Sequence, residues 1–130
     1  MNLILVMAGG FLGAICRFGI SYIYETKAGE FPIGTLSINI IGCFLLGWLY
    51  SFARERSKIS SKLILFIGTG FTGSFTTFST FSVETYNLFS AENYFTAVLY
   101  IMLSIGLGLL FVYIGNGIVK WAPYRKGGLR

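Results

Sequence analysis

Residues 68–84 read GTGFTGSFTTFSTFSVE, and the fold turns on them. They begin inside a run, 63–83, that carries no charge over 21 residues, a length that crosses the hydrocarbon core of a bilayer. Yet the first ten of the quoted residues include Gly68, Gly70 and Gly73, the weakest ordinary helix formers. Among them stand Thr69, Thr72, Ser74, Thr76 and Thr77, whose hydroxyls bond nearby backbone instead. The pattern predicts a membrane helix broken near Gly73 to Thr77. Backbone released at membrane depth is tolerated only where protein or water covers it, so interrupted spans are favoured positions for ions.

Working outward, three further apolar runs reach spanning length: 3–24, 33–53 and 95–119. The 130 residues are 55% hydrophobic and 12% charged, which marks an all-α integral membrane protein with a single transmembrane domain over 1–130. There is no histidine and no metal-ligand spacing of Cys or acidic residues. Metal enzymes and His-based catalysis are therefore excluded, and no nucleophile stands beside a base to suggest another enzyme. Cys16 and Cys43 fall inside apolar runs and read as small buried packing residues, with a disulfide the lesser alternative. The 3–24 run does not read as a signal peptide, since no basic residue precedes it and no clear cleavage site follows.

The polar residues inside these runs are the candidate functional groups. Arg17 either faces a partner or aqueous cavity, or snorkels to the interface. Gly9 and Gly13 make a small-xxx-small face that a second helix can approach closely. Thr35 and Asn39, four apart, share one face of the second helix; the amide either joins two helices or presents its NH2 to a permeating anion. Phe78 and Phe81, three apart, are neighbours on one face, with Thr77, Ser79 and Thr80 supplying hydroxyls around them. Paired rings at this spacing are more often packing than a site. Ring edges, however, carry positive quadrupole and can hold an anion weakly in a dry pore, where a full cation would release it slowly. Tyr100, Ser104 and Gly108 step along the fourth helix at intervals of four, so that one face begins polar and becomes bare.

Four spans place both termini on one side, together with the loop after the second span. Eight Lys/Arg lie there against Lys27 opposite, which predicts cytoplasmic termini. Four small helices enclosing no pore of their own suggest oligomerisation.

Three stretches, GGFLGAICRF at 9–18, GTLSINIIG at 34–42 and GFTGSFTTFSTFSVE at 70–84, resemble the small bacterial fluoride channels of the Fluc or CrcB family. The resemblance covers nearly the whole chain and implies a passive, fluoride-selective channel that lowers fluoride toxicity. It implies an antiparallel dual-topology dimer with two pores. Phe78 and Phe81 would line each pore with their ring edges, and Asn39 would be their polar partner. Thr35, Ser79, Thr80, Tyr100 and Ser104 would match the family's polar track, and Arg17 would lie near a vestibule. It also implies a structural Na+ at the dimer interface, held by main-chain carbonyls of Gly73 and Thr76. The chain departs from the family pattern at Gly108, where a further hydroxyl would stand. Its strong charge bias also disfavours insertion both ways, so an oppositely oriented paralogue is expected as an alternative to a homodimer.

Two other functions fit four small spans. A small multidrug antiporter needs an intramembrane carboxylate, and Glu25, Glu30, Glu55, Glu84 and Glu92 all fall outside the middles of the runs. A non-transporting assembly subunit needs only Gly and Ser/Thr docking faces, and does not account for the ring and hydroxyl cluster at Thr76 to Phe81.

Overall fold

A computed structural model describes residues 2–24, 29–55 and 59–121. Glu25, Lys27, Arg56, Lys58 and the basic tail at Arg125, Lys126 and Arg130 lie outside them. Among the described residues, three helices are long and apolar enough to cross a membrane: α1 (Asn2–Ile23), α2 (Ile33–Glu55) and α6 (Tyr94–Trp121). Their apolar side chains mostly face outward, as with Phe11, Phe18, Leu109 and Tyr113, because lipid rather than a protein core satisfies them. This outward habit explains a departure from expectation. Cys16 is exposed and Cys43 half-buried, and both are free thiols, since an apolar run in a membrane helix need not be buried within its own chain.

The third segment is built in pieces. It opens with α3 (Ser61–Ile64), where the Ser60 hydroxyl accepts the Leu63 N–H at 3.3 Å and caps the first turn. It continues as a π-helix, Leu65–Thr72, and then as α4 (Gly73–Phe75). Chain continuity of the helix is lost at residues 76–78, after which α5 (Ser79–Ser90) runs on. The break thus occupies only the end of the expected window, and Gly73 remains helical. The glycine-rich half has not broken; it has widened, with the Thr72 hydroxyl bonding the Ile67 carbonyl five residues back at 2.8 Å. Helical structure also extends past the expected end of the run, so that Glu84 stands in the middle of α5.

Wider winding has a packing consequence. A Cβ on Gly9 would collide with the Phe66 carbonyl, and one on Gly13 with the Phe71 carbonyl. The small-residue face of α1 therefore lies directly on the π-helix backbone, a contact that any larger residue at either position would prevent.

Helices α2 and α6 run parallel in a register in which facing residues of the seam are separated by 65 positions. Cys43 meets Gly108, Gly47 meets Val112, and the Ser51 hydroxyl donates to the Asn116 carbonyl at 3.1 Å. One end of this seam is closed by a buried cluster of Leu36, Leu88, Ala97 and Tyr100, against which Phe31 and Phe81 pack. Between α5 and α6 the chain reverses through Glu92 at φ 57°, and the Asn93 N–H bonds the Leu88 carbonyl at 3.0 Å, which satisfies the end of α5.

Candidate functional site

The site grows from the hydrogen bonds that a break in a helix leaves unmade. Thr76 ends α4: its N–H (3.0 Å) and its hydroxyl (2.9 Å) both bond the Thr72 carbonyl, and its backbone then turns extended at ψ 158°. In an unbroken helix the Thr77 N–H would bond the Gly73 carbonyl. It goes instead to Asn39 Oδ1 at 2.9 Å, while Asn39 Nδ2 donates to the Thr77 carbonyl at 3.0 Å. One amide on α2 thus satisfies both backbone groups of the residue at the centre of the break, the accounting that buried peptide groups require. The amide does join two elements. Its second N–H has no acceptor among the described residues, and Asn39 also lines the groove beside the break.

Thr77 acts again through its side chain. Its hydroxyl accepts the Thr80 N–H at 3.2 Å and donates to the Thr80 hydroxyl at 3.0 Å, with the Ser79 hydroxyl at 3.4 Å. Thr80 N–H is thereby diverted from the Thr76 carbonyl. The carbonyls of Gly73 and Thr76 have both lost their helical donors to side-chain acceptors. The approach of the break to α2 depends on Gly42, where a Cβ would collide with the Thr76 methyl.

Beyond the break lie the rings. Phe78 and Phe81 are 5.9 Å apart between centroids, and Phe81 packs on Tyr100 at 5.0 Å. Phe81 is half-buried, whereas Phe78 is 79% exposed on the single chain. The two phenyl groups stand between two grooves. One, of about 350 Å³, is lined by Asn39, Cys43, Thr77 and Ser104; the other, of about 510 Å³, by Ser82, Thr85 and Tyr86; Phe78, Phe81 and Ile105 border both. A third groove, of about 450 Å³, meets the first at Leu46 and continues past Ser51 and Asn116 to Arg54. Two of the hollows therefore follow the α2–α6 seam and the third lies between α5 and α6, with the phenyl pair between it and the first.

Of the residues singled out from sequence, Asn39, Phe78, Phe81 and Ser104 meet in the first groove, and Thr76 borders it. Ser79 and Thr80 belong to the hydroxyl cluster on Thr77. Thr35 and Tyr100 stand apart from the groove lining. Both donate to Glu84, Thr35 to Oε1 and Tyr100 to Oε2, each at 2.8 Å. Arg17 sits half-buried on α1 and contributes nothing to these linings. Sequence reasoning passed over Thr77 as a structural pivot and Glu84 as a partner. Thr77 had a signal, a hydroxyl three residues before Thr80 at a helix start. Glu84 had none, since a carboxylate one residue past an apolar run reads as its solvated end.

A bundle of apolar helices whose third member is interrupted, with an amide, hydroxyls and phenyl rings gathered at the interruption, defines a polytopic membrane protein with a partly polar groove at a helix break. Residues 4–116 match the family described as CrcB-like protein, Camphor Resistance (CrcB), and the chain belongs to that family. It is 48% identical over 125 residues to the fluoride-specific ion channel FluC of Oceanobacillus iheyensis, covering 96% of this chain and 94% of that one. Identity is 45% over 113 residues to FluC 1 of Bacillus cereus, covering 86% and 82%. A third relative, the fluoride-specific ion channel FluC of Dehalococcoides mccartyi, is 42% identical over 115 residues, 88% of each chain. Since Glu84 stands inside a helix, family membership rather than the placement of carboxylates sets the antiporter aside.

Proposed function

We propose that the chain is a passive, fluoride-specific channel subunit rather than an enzyme, and that fluoride passes the edges of Phe78 and Phe81. The observation that carries this is the phenyl pair standing between two grooves beside a clamped helix break. Ring edges offer positive quadrupole without a fixed charge, and the amino end of α5 adds partial positive charge at the same place. Asn39 keeps one N–H for an anion, and the hydroxyls of Ser79, Thr80 and Ser104 offer further donors. Thr35 and Tyr100 contribute through Glu84, which they hold beside Phe81. Arg17 draws anions toward one mouth. Such a ladder of weak donors suits conduction, which needs occupancy without retention. Hydrogen fluoride crosses lipid as a neutral molecule and dissociates in a less acidic cytoplasm. The pore lets the trapped anion leave down its electrochemical gradient.

A pore needs a second wall. Phe78 is largely uncovered and the three grooves are open on the single chain, which fits an antiparallel partner: a second copy, or a paralogue inserted the other way. The charge bias puts both termini in the cytoplasm and favours the paralogue. A sodium ion between the subunits would be structural. Gly73 and Thr76 would hold it through their carbonyls, which suit a hard cation, since the donors that would occupy them in a helix have gone to Asn39 and Thr77.

Liposomes loaded with fluoride and read with a fluoride electrode test the central claim. Phe78→Ile and Phe81→Ile are each expected to remain folded and to slow efflux at least about tenfold, the scale of a lost ring-edge interaction. Efflux at the parental rate in both variants would remove the rings from the path.

A further inference from the structure

The α2–α6 register lines up the polar residues of the seam level by level. Thr35 and Tyr100 share Glu84 at the first level, and Asn39 and Ser104 line the same groove at the second. At the third level α6 is bare. An added Cβ on Gly108 would meet a single neighbour, Cys43 Sγ, at 3.5 Å, ordinary contact with room to spare. Cys43 is also in the lining of the groove that holds Asn39, Phe78 and Phe81. Beyond it the helices touch backbone to backbone at Gly47 and Val112, and Leu46 separates this groove from the next. A second observation points to an occupant of the groove. Ser104 Oγ is buried and has no hydrogen-bond partner among the described residues, although a buried hydroxyl is ordinarily satisfied.

We propose that the Cys43 thiol is the third donor of the anion path, supplied by α2 at the level where Gly108 leaves α6 without one, and the last before the neck at Leu46 and Val112. This rests on the channel reading above and adds a specificity-determining residue to it. A thiol is a weak donor on a small, polarisable side chain, suited to a step an anion must leave quickly. Because the two backbones face each other across this level, a donor moved from position 43 to position 108 enters the same space.

The test uses the full chain in liposomes with Cys16, exposed on α1, replaced by Ser. Cys43→Ala is expected to slow fluoride efflux about tenfold, the scale of one hydrogen bond to a charged group, while Cys43→Ser and the double variant C43A/G108S restore it to within about twofold. In the second arm the C16S chain is treated with 2-sulfonatoethyl methanethiosulfonate. The Cys43 thiolate attacks the reagent's sulfenyl sulfur, a mixed disulfide forms, and methanesulfinate leaves. The attached sulfonate is expected to abolish efflux in the C16S chain and to leave C16S/C43S, which has no thiol, untouched. If Cys43→Ala does not fold, this arm still decides. Failure of the thiol to react, reaction without loss of efflux, or a double variant as slow as Cys43→Ala would each overturn the proposal. A C16S chain that conducts no fluoride before treatment, either alone or together with an oppositely oriented paralogue, would overturn the channel reading itself, an outcome separable from intact conduction indifferent to position 43.

Discussion

Replacing Asn39 by Ala removes two hydrogen bonds at once and strands the N–H and C=O of Thr77, a residue buried at the centre of the break. Each orphaned group costs about 1–3 kcal/mol, so Asn39→Ala is expected to destabilise the chain by on the order of 2–6 kcal/mol. Thermal unfolding in detergent measures this. Asn39→Asp tests the clamp's polarity. A carboxylate keeps an acceptor for the Thr77 N–H but sets an oxygen against the Thr77 carbonyl, so the variant is expected to fall near Asn39→Ala rather than near the parent. Parental stability in both would mean that the break holds without its amide. The donor and acceptor pair at one side chain is what a peptide unit needs when its helix partners are gone, which a Ser or Thr hydroxyl supplies less completely.

Among elements, the π-helix at Leu65–Thr72 and α1 must be considered together. Gly13→Val would push a branched side chain into the Phe71 carbonyl, and backbone cannot move aside as a side-chain tip can. The expected loss is at least about 1–3 kcal/mol, seen as a lowered unfolding midpoint. Gly19 on the same helix has nothing within 4 Å of an added Cβ. Gly19→Ala should therefore be neutral or stabilising by up to about 1 kcal/mol through helix propensity alone. No loss at Gly13→Val would mean that α1 does not dock on the π-helix through this position. Element α5 is positioned by other means: Glu84 receives Thr35 from α2 and Tyr100 from α6, so one carboxylate ties the helix that carries Phe81 to both.

For the molecule as a whole, the exposed Phe78 and the open seam predict that the working unit is larger than one chain. Purified alone and sized by light scattering, the chain is expected to dimerise only in sodium if a second copy serves as its partner. Exchange of sodium for a large organic cation should lower both dimer stability and fluoride efflux, since a ligand bound to the assembled state stabilises it by mass action. If the chain alone neither dimerises nor conducts in sodium, an oppositely oriented paralogue is required. If it does both whatever the cation, the carbonyls of Gly73 and Thr76 hold no structural ion.

Much of this architecture was legible in the residues. Long uncharged runs report membrane helices because lipid tolerates few alternatives to satisfied, apolar spans. The glycines and hydroxyls of 68–77 likewise reported a helix that departs from regular α winding, and GFTGSFTTFSTFSVE carried the family. What propensity could not decide is how the departure is distributed. That the glycine-rich half winds as a π-helix and the chain parts only at residues 76–78 follows from α1 lying on one piece and Asn39 reaching the other. The pairing of Glu84 with Thr35 and Tyr100, and of Cys43 with Gly108, likewise awaited the α2–α6 register. Local sequence sets what each segment tolerates, but which backbone groups are left over, and which distant side chain meets them, is fixed only when the helices pack.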